Sequence, residues 1–113
     1  MILIENYNDL DKAILENKDS LMLLYFGTTR CSPCMKLKEQ LIKNKDEIQN
    51  LIVMYIDCDI EDNEEILKTY NVSSLPTQIF IHLNKNNVIN DYIIKGYDWI
   101  QLIMKYNELN NNN

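Results

Sequence analysis

The chain has 113 residues, 46% of them hydrophobic and 25% charged, the balance of a soluble globular protein with material for one core. Its formal charge is -6 and its 11 basic residues are scattered, which excludes nucleic acid as a partner because phosphate neutralisation needs clustered Lys and Arg. The start, "MILIENYNDL", lacks the basic region and apolar run of a secretion signal, and the longest apolar run, "LMLLYF", is too short to cross a bilayer. A cytoplasmic protein with no membrane partner is expected.

A short strand is expected at "ILI", followed by a helix over residues 7–17, where Leu10, Ala13 and Ile14 fall at helical spacing. "SLMLLYFG" (20–27) is a continuous apolar run ended by Gly27, which reads as a strand covered on both faces in the middle of a sheet. Beyond Cys34, the positions of Leu37, Leu41, Ile48 and Leu51 keep a rhythm near 3.6 residues and predict a helix. "LIVMYID" (51–57) is a second buried strand, and "DNEEILKTY" (62–70) a short helix with acidic residues in its first turn, where the helix dipole favours them. "TQIFIHL" and "VINDYIIK", joined by a turn at "NKNN", form a hairpin that Gly96 ends. Trp99, Leu102, Ile103, Tyr106 and Leu109 then mark one face of a last helix. Alternating strands and helices followed by a hairpin predict an α/β fold, a mixed sheet with helices on both faces. Residues 1–109 form a single domain in this reading, and the Asn-rich residues 110–113 a disordered tail with nothing to bury.

"TTRCSPCMKL" (28–37) holds two of the three cysteines, Cys31 and Cys34. A pair at this spacing arises by chance about 5% of the time in such a chain, so its placement matters more than its existence. It lies between a buried strand and a helix, at the sheet edge where α/β proteins collect their sites. Cys31 falls at the helix N-terminus, where unpaired N–H groups and the dipole favour thiolate and lower the thiol pKa from about 8.5 toward 7. Arg30 precedes it and acts in the same direction. Cys34 falls one turn inside and is the more buried sulfur. Cys31 is therefore the expected nucleophile toward a disulfide, and Cys34 the thiol that resolves the mixed disulfide. Pro33 suits the first turn, where its missing N–H has no partner to lose. A zinc site needs about four ligands, and only Cys58 and His82 remain to complete one. No metal and no other cofactor are expected. An inert structural pair is the other alternative, disfavoured in a reducing compartment.

The order "LMLLYF", "CSPC" opening a helix, "YIDCD" ending a strand, "YNVSSLPT" and Gly96 resembles the thioredoxin family over residues 5–109. The resemblance implies the thioredoxin fold, a three-layer α/β/α sandwich on a central mixed β-sheet. It also implies a cis peptide bond before Pro76, which lies against the cysteine pair, and backbone groups of Leu75 that pair with an extended substrate. Gly96 belongs to the same substrate groove, and Cys58 takes the place of an apolar residue near it. Cys58 is thus either a regulatory thiol or a small hydrophobe at a strand end. The chain departs from the family pattern at Arg30, where Trp is usual, and at Ser32, where Gly precedes the proline. Tyr25 stands where a buried Asp commonly helps deprotonate the second cysteine, and Tyr55 where that Asp has a Lys partner. Glu39 replaces a helix-kinking proline. Arg30, Ser32, Pro33 and Tyr25 are accordingly expected to tune the pair.

The expected activity is thiol–disulfide exchange, reducing protein disulfides through Cys31 and Cys34. A monomer restored by a thioredoxin-reductase-type flavoenzyme or another reductase is implied. Two alternatives stay open: an electron donor dedicated to one partner enzyme, suggested by Arg30, and a binding or adaptor module with an idle pair, suggested by Tyr25 and Tyr55.

Overall fold

The computed structural model describes residues 1–83 and 89–111. Among these, five strands form one sheet: β1 (Ile2–Ile4), β2 (Leu21–Gly27), β3 (Leu51–Asp57), β4 (Thr77–Leu83) and β5 (Ile89–Lys95). Their order is β1-β3-β2-β4-β5. β2 runs parallel to β3 and antiparallel to β4, so the sheet is mixed, with β2 at its centre. Every residue of β2 is buried, as its unbroken apolar run requires.

Alternation along β2 divides the core. Leu21, Leu23 and Tyr25 face one layer, built with Leu37 and Leu41 of α2 (Ser32–Lys43) and Leu102 and Tyr106 of α4 (Trp99–Asn111). Met22, Leu24 and Phe26 face the other, with Leu10 and Ala13 of α1 (Tyr7–Glu16) and Ile66 of α3 (Glu64–Thr69). Truncating one fully buried Leu of either layer to Ala costs about 2–5 kcal/mol. The architecture is the three-layer α/β/α sandwich on a central mixed sheet that the resemblance implies.

Three elements differ from their sequence outline. The helix after the cysteine pair ends at Lys43 rather than running on toward Leu51. Asn44 caps it by donating from Nδ2 to the Gln40 carbonyl at 2.9 Å and to Gln40 Oε1 at 2.8 Å. Ile48 and Leu51 are reached through a turn and still enter the same core, which is why their spacing imitates a helix. The acidic helix opens with a 3-10 turn at Glu61–Asn63, where the Asn63 side chain is drawn inward. α4 continues to Asn111, two residues into the expected tail, because extending an existing helix adds a backbone bond for each residue ordered. The remainder of that tail, residues 112–113, and the expected turn at 84–87 lie outside the described residues.

Candidate active site

The loop from β2 delivers the cysteine pair to the first turn of α2. Arg30 N–H donates to Thr28 Oγ1 at 3.0 Å and Cys31 N–H to the Thr28 carbonyl at 3.5 Å. Cys31 is the N-cap residue of α2, with φ -106° and ψ 110°, and its Sγ accepts the Cys34 N–H at 3.2 Å. Ser32 and Pro33 follow it in the first turn, both exposed. Cys31 and Cys34 form a disulfide across a Cα–Cα distance of 5.2 Å. Cys31 is half-buried, whereas Cys34 is 0% exposed. Of the two cysteines, Cys31 is the one solvent reaches, and the N–H donated to its Sγ favours negative charge on it.

Beneath the pair stand two buried tyrosines. The Tyr25 hydroxyl donates to the backbone carbonyl of Cys34. Burial, reinforced by Tyr55 and Cys58, pushes its phenol well above the ordinary range, so Tyr25 is a hydrogen-bond donor and not a proton acceptor. The Tyr55 ring lies 5.1 Å from that of Tyr25, with Lys38 Nζ 5.3 Å from its centroid. Burial, with Asp57 next in weight, pushes the Tyr55 phenol up to about 12.

Arg30, exposed in front of the pair, pairs with Asp59 at 2.6 Å. The hydrogen bond to Asp59, and then its charge, pushes the Arg30 guanidinium above its already high ordinary value. Much of the Arg30 charge is thus answered by Asp59 rather than left to act on Cys31. Cys58 directly follows β3, its N–H donating to the Gly27 carbonyl at 2.9 Å. It is half-buried, and burial beside Asp57 and Asp59 pushes its thiol up to about 11. It packs against the layer containing Ile56 and Phe26.

The segment before β4 reaches the same end of the sheet. Phe26 pairs with Thr77, so Pro76 lies at the sheet end where β2 passes into the cysteine loop. The Leu75–Pro76 bond is cis, as the resemblance implies. Pro76 is buried, Leu75 half-buried. Gly96, whose φ of 91° is unfavourable for any side chain, donates its N–H to the Pro76 carbonyl at 2.8 Å. Thr77 Oγ1 donates to the Ser74 carbonyl at 2.6 Å.

Sequence reasoning missed Gln78, which is fully buried and donates from Nε2 to the Gly96 carbonyl at 3.1 Å. Its signal is a lone amide directly ahead of the apolar run "IFI" in "TQIFIHL". Asp59 was also missed, as was the close packing at Gly27, where an added Cβ would meet Tyr25 Cε1 at 3.0 Å and Cys34 Cβ at 3.3 Å. Among the described residues no group of three His, Cys, Asp or Glu side chains is arranged to hold a metal ion. Nor is any helix among them long and apolar enough to cross a membrane.

The family model described as mitosis protein DIM1 matches residues 2–109. The chain is 31% identical over 102 residues to Thioredoxin-T of Drosophila melanogaster, which covers 90% of this chain and 63% of that protein. It is 26% identical over 77 residues to spliceosomal protein DIB1 of Candida glabrata, covering 68% of this chain and 54% of that one. This chain thus spans about half to two thirds of the length of these two relatives. Among solved structures, Fasciola hepatica thioredoxin superposes with a TM-score of 0.82 at 26% identity, over 96% of this chain and 98% of that chain.

Proposed function

Because the chain belongs to the mitosis protein DIM1 family and carries the thioredoxin fold with a cysteine pair, we propose that it is a thiol–disulfide oxidoreductase that reduces protein disulfides. The observation that carries this reading is the asymmetry of the pair: Cys31 is half-buried with its Sγ receiving a helix N-terminal N–H, and Cys34 is fully buried.

In the reduced protein, the Cys31 thiolate attacks one sulfur of a substrate disulfide. That S–S bond breaks, a mixed disulfide forms, and the departing substrate sulfur leaves as thiolate and takes a proton. Cys34 then gives up its proton and attacks Cys31 Sγ. The Cys31–Cys34 disulfide forms as the second substrate sulfur leaves. Two electrons and two protons pass to the substrate, and a reductase of the thioredoxin-reductase type returns the pair to dithiol. Leu75, Pro76 and Gly96 form the wall along which an extended substrate lies, with Ser32 and Pro33 on the exposed turn. The acting unit is the domain of residues 1–109, a cytoplasmic monomer.

Insulin reduction in the presence of dithiothreitol tests this. The wild-type chain accelerates it, Cys31→Ser abolishes the acceleration, and Cys34→Ser accumulates a covalent complex through Cys31. Equal rates for all three proteins would sink the proposal.

A second reading, an adaptor that binds protein partners without using the pair, is favoured by the family match and by the relative whose name places it in the spliceosome. Tyr25 in place of a carboxylate supports it, because a buried phenol offers Cys34 no base. Under this reading the Cys31→Ser, Cys34→Ser double variant captures the same partners as wild type. Under the first, covalent capture through Cys31 is lost.

A further inference from the structure

Tyr25 and Gln78 are direct partners in register across β2 and β4, so both side chains leave the sheet on the same face. They are 1% and 0% exposed. From this one row Tyr25 binds the Cys34 carbonyl, and Gln78 binds the carbonyl of Gly96, whose N–H is bound to Pro76. The cysteine turn and the Gly96 backbone that bonds Pro76 are therefore held by neighbouring side chains on adjacent strands.

We propose that Tyr25 is a positioning residue for the resolving sulfur: its hydroxyl holds the Cys34 carbonyl, and so keeps Cys34 Sγ in line for attack on Cys31 Sγ. The role rests on the dithiol chemistry proposed above and adds to it the group that aligns the second step. An intramolecular displacement gains its speed from alignment, and small displacements of the attacking atom cost much of it. The backbone of Cys34 lies in the first turn of α2, where Tyr25 supplies a fixed side contact to its carbonyl. The ring also fills the space against Cys34. Gly27 leaves room for it, since a Cβ there would stand 3.3 Å from both the Tyr25 hydroxyl oxygen and Cys34 Cβ. A phenol that stays protonated through neutral and mildly alkaline pH keeps this bond throughout.

The test uses glutathione disulfide as a small oxidant, so that protein-substrate recognition does not enter. Reduced Cys31 attacks it, forming a Cys31–glutathione mixed disulfide and releasing one glutathione. Cys34 then attacks Cys31 Sγ, closing the Cys31–Cys34 disulfide and releasing the second. Rapid acid quenching with mass spectrometry resolves both rate constants. In Tyr25→Phe, attack by Cys31 stays within about twofold of wild type while resolution slows about tenfold, the kinetic equivalent of one buried hydrogen bond. Tyr55→Phe removes a hydroxyl from the ring packed beside Tyr25, one that is not the donor to Cys34. It is expected to leave both rate constants within about twofold. Resolution at the wild-type rate in folded Tyr25→Phe overturns the proposal, as does equal slowing in Tyr55→Phe. Should Tyr25→Phe fail to fold, Gly27→Ala, whose Cβ would crowd Tyr25 Cε1 at 3.0 Å more closely than Cys34 Cβ at 3.3 Å, is expected to slow resolution while attack by Cys31 stays within about twofold; an unchanged resolution rate there overturns the proposal as well. A wild-type chain that completes both steps with glutathione yet does not reduce insulin refutes the protein-disulfide reductase reading and leaves the role of Tyr25 standing. A wild-type chain that never forms the mixed disulfide refutes both.

Discussion

Arg30 and Asp59 meet at 2.6 Å in front of the cysteine pair, tying the loop before α2 to the segment after β3. Both ends are accessible, with side-chain exposures of 82% and 34%. Such a pair adds little to folding, because solvent screens it and two side chains must be held still. Its consequence is electrostatic: the cation nearest Cys31 in sequence is matched by an anion, so the field favouring the Cys31 thiolate is weaker than Arg30 alone would make it.

Asp59→Asn should therefore leave thermal stability unchanged within error and raise the reactivity of Cys31. In the reduced protein at neutral pH and low salt, iodoacetamide should label Cys31 about twofold faster, and the gain should shrink at high salt as the Debye length shortens. A slower reaction, or a gain indifferent to salt, would show that Arg30 does not act on Cys31 through its charge.

Asn63 joins β1 to the end of β3. Its fully buried Nδ2 donates to the Ile4 carbonyl at 2.9 Å and to the Asp57 carbonyl at 3.0 Å. Replacement by Ala leaves two carbonyls short of a donor and opens a small space, a cost of about 2–4 kcal/mol. Urea denaturation should show the midpoint falling with an unchanged slope. Asn63→Asp should be no better at neutral pH, because a carboxylate cannot donate to either carbonyl. A loss below about 0.5 kcal/mol for Asn63→Ala would mean that other groups satisfy both carbonyls.

Much of this was legible because period and punctuation are strong signals in short chains. The apolar run at 21–26 with Gly27 after it admitted one reading, and β2 is buried along its whole length. The cysteine pair was legible from its position at a strand–helix junction, which in turn makes Cys31 the N-cap residue. What spacing could not show is which polar residues turn inward. Asn63 sits in a stretch, "DIEDNEE", whose charges read as a solvated helix entry, yet its amide is fully buried because two backbone carbonyls need it. Gln78 lies on a strand whose pattern fits either an edge or a core position, and only the register with Tyr25 brings it beside the side chain that bonds Cys34. Ile48 misled for the opposite reason: a turn returns it to the core at a helix-like interval.

Cys58 should behave as a quiet thiol. With its ionisation pushed up to about 11, only about one molecule in a thousand carries the thiolate at pH 8, against about a quarter for an ordinary free thiol. Limited iodoacetamide treatment of the reduced protein near neutral pH should label Cys31 first and leave Cys58 unmodified, as peptide mapping would read. In urea Cys58 should become as reactive as a free cysteine. Labelling of native Cys58 as fast as Cys31 would instead make it a second reactive thiol beside the pair.

The same buried groups set a direction for alkaline stability. In the unfolded chain the thiol ionises near 8.5 and the phenols near 10. In the fold, burial first and neighbouring acidic groups second hold Cys58 protonated up to about 11 and Tyr55 up to about 12, with Tyr25 shifted the same way. Between these limits the unfolded state binds fewer protons than the folded one, so stability falls as pH rises. It is fully present below about pH 8.5 and is lost progressively from there through pH 12. Urea titrations at pH 8 and pH 10.5 should show a lower unfolding free energy at the higher pH. The difference should narrow in Cys58→Ala and in Tyr55→Phe, each of which removes one of the protons held by folding. A stability that is level or increasing over this interval would mean that these side chains ionise in the fold as easily as in water, and that the tyrosine layer under the cysteine pair is open to solvent.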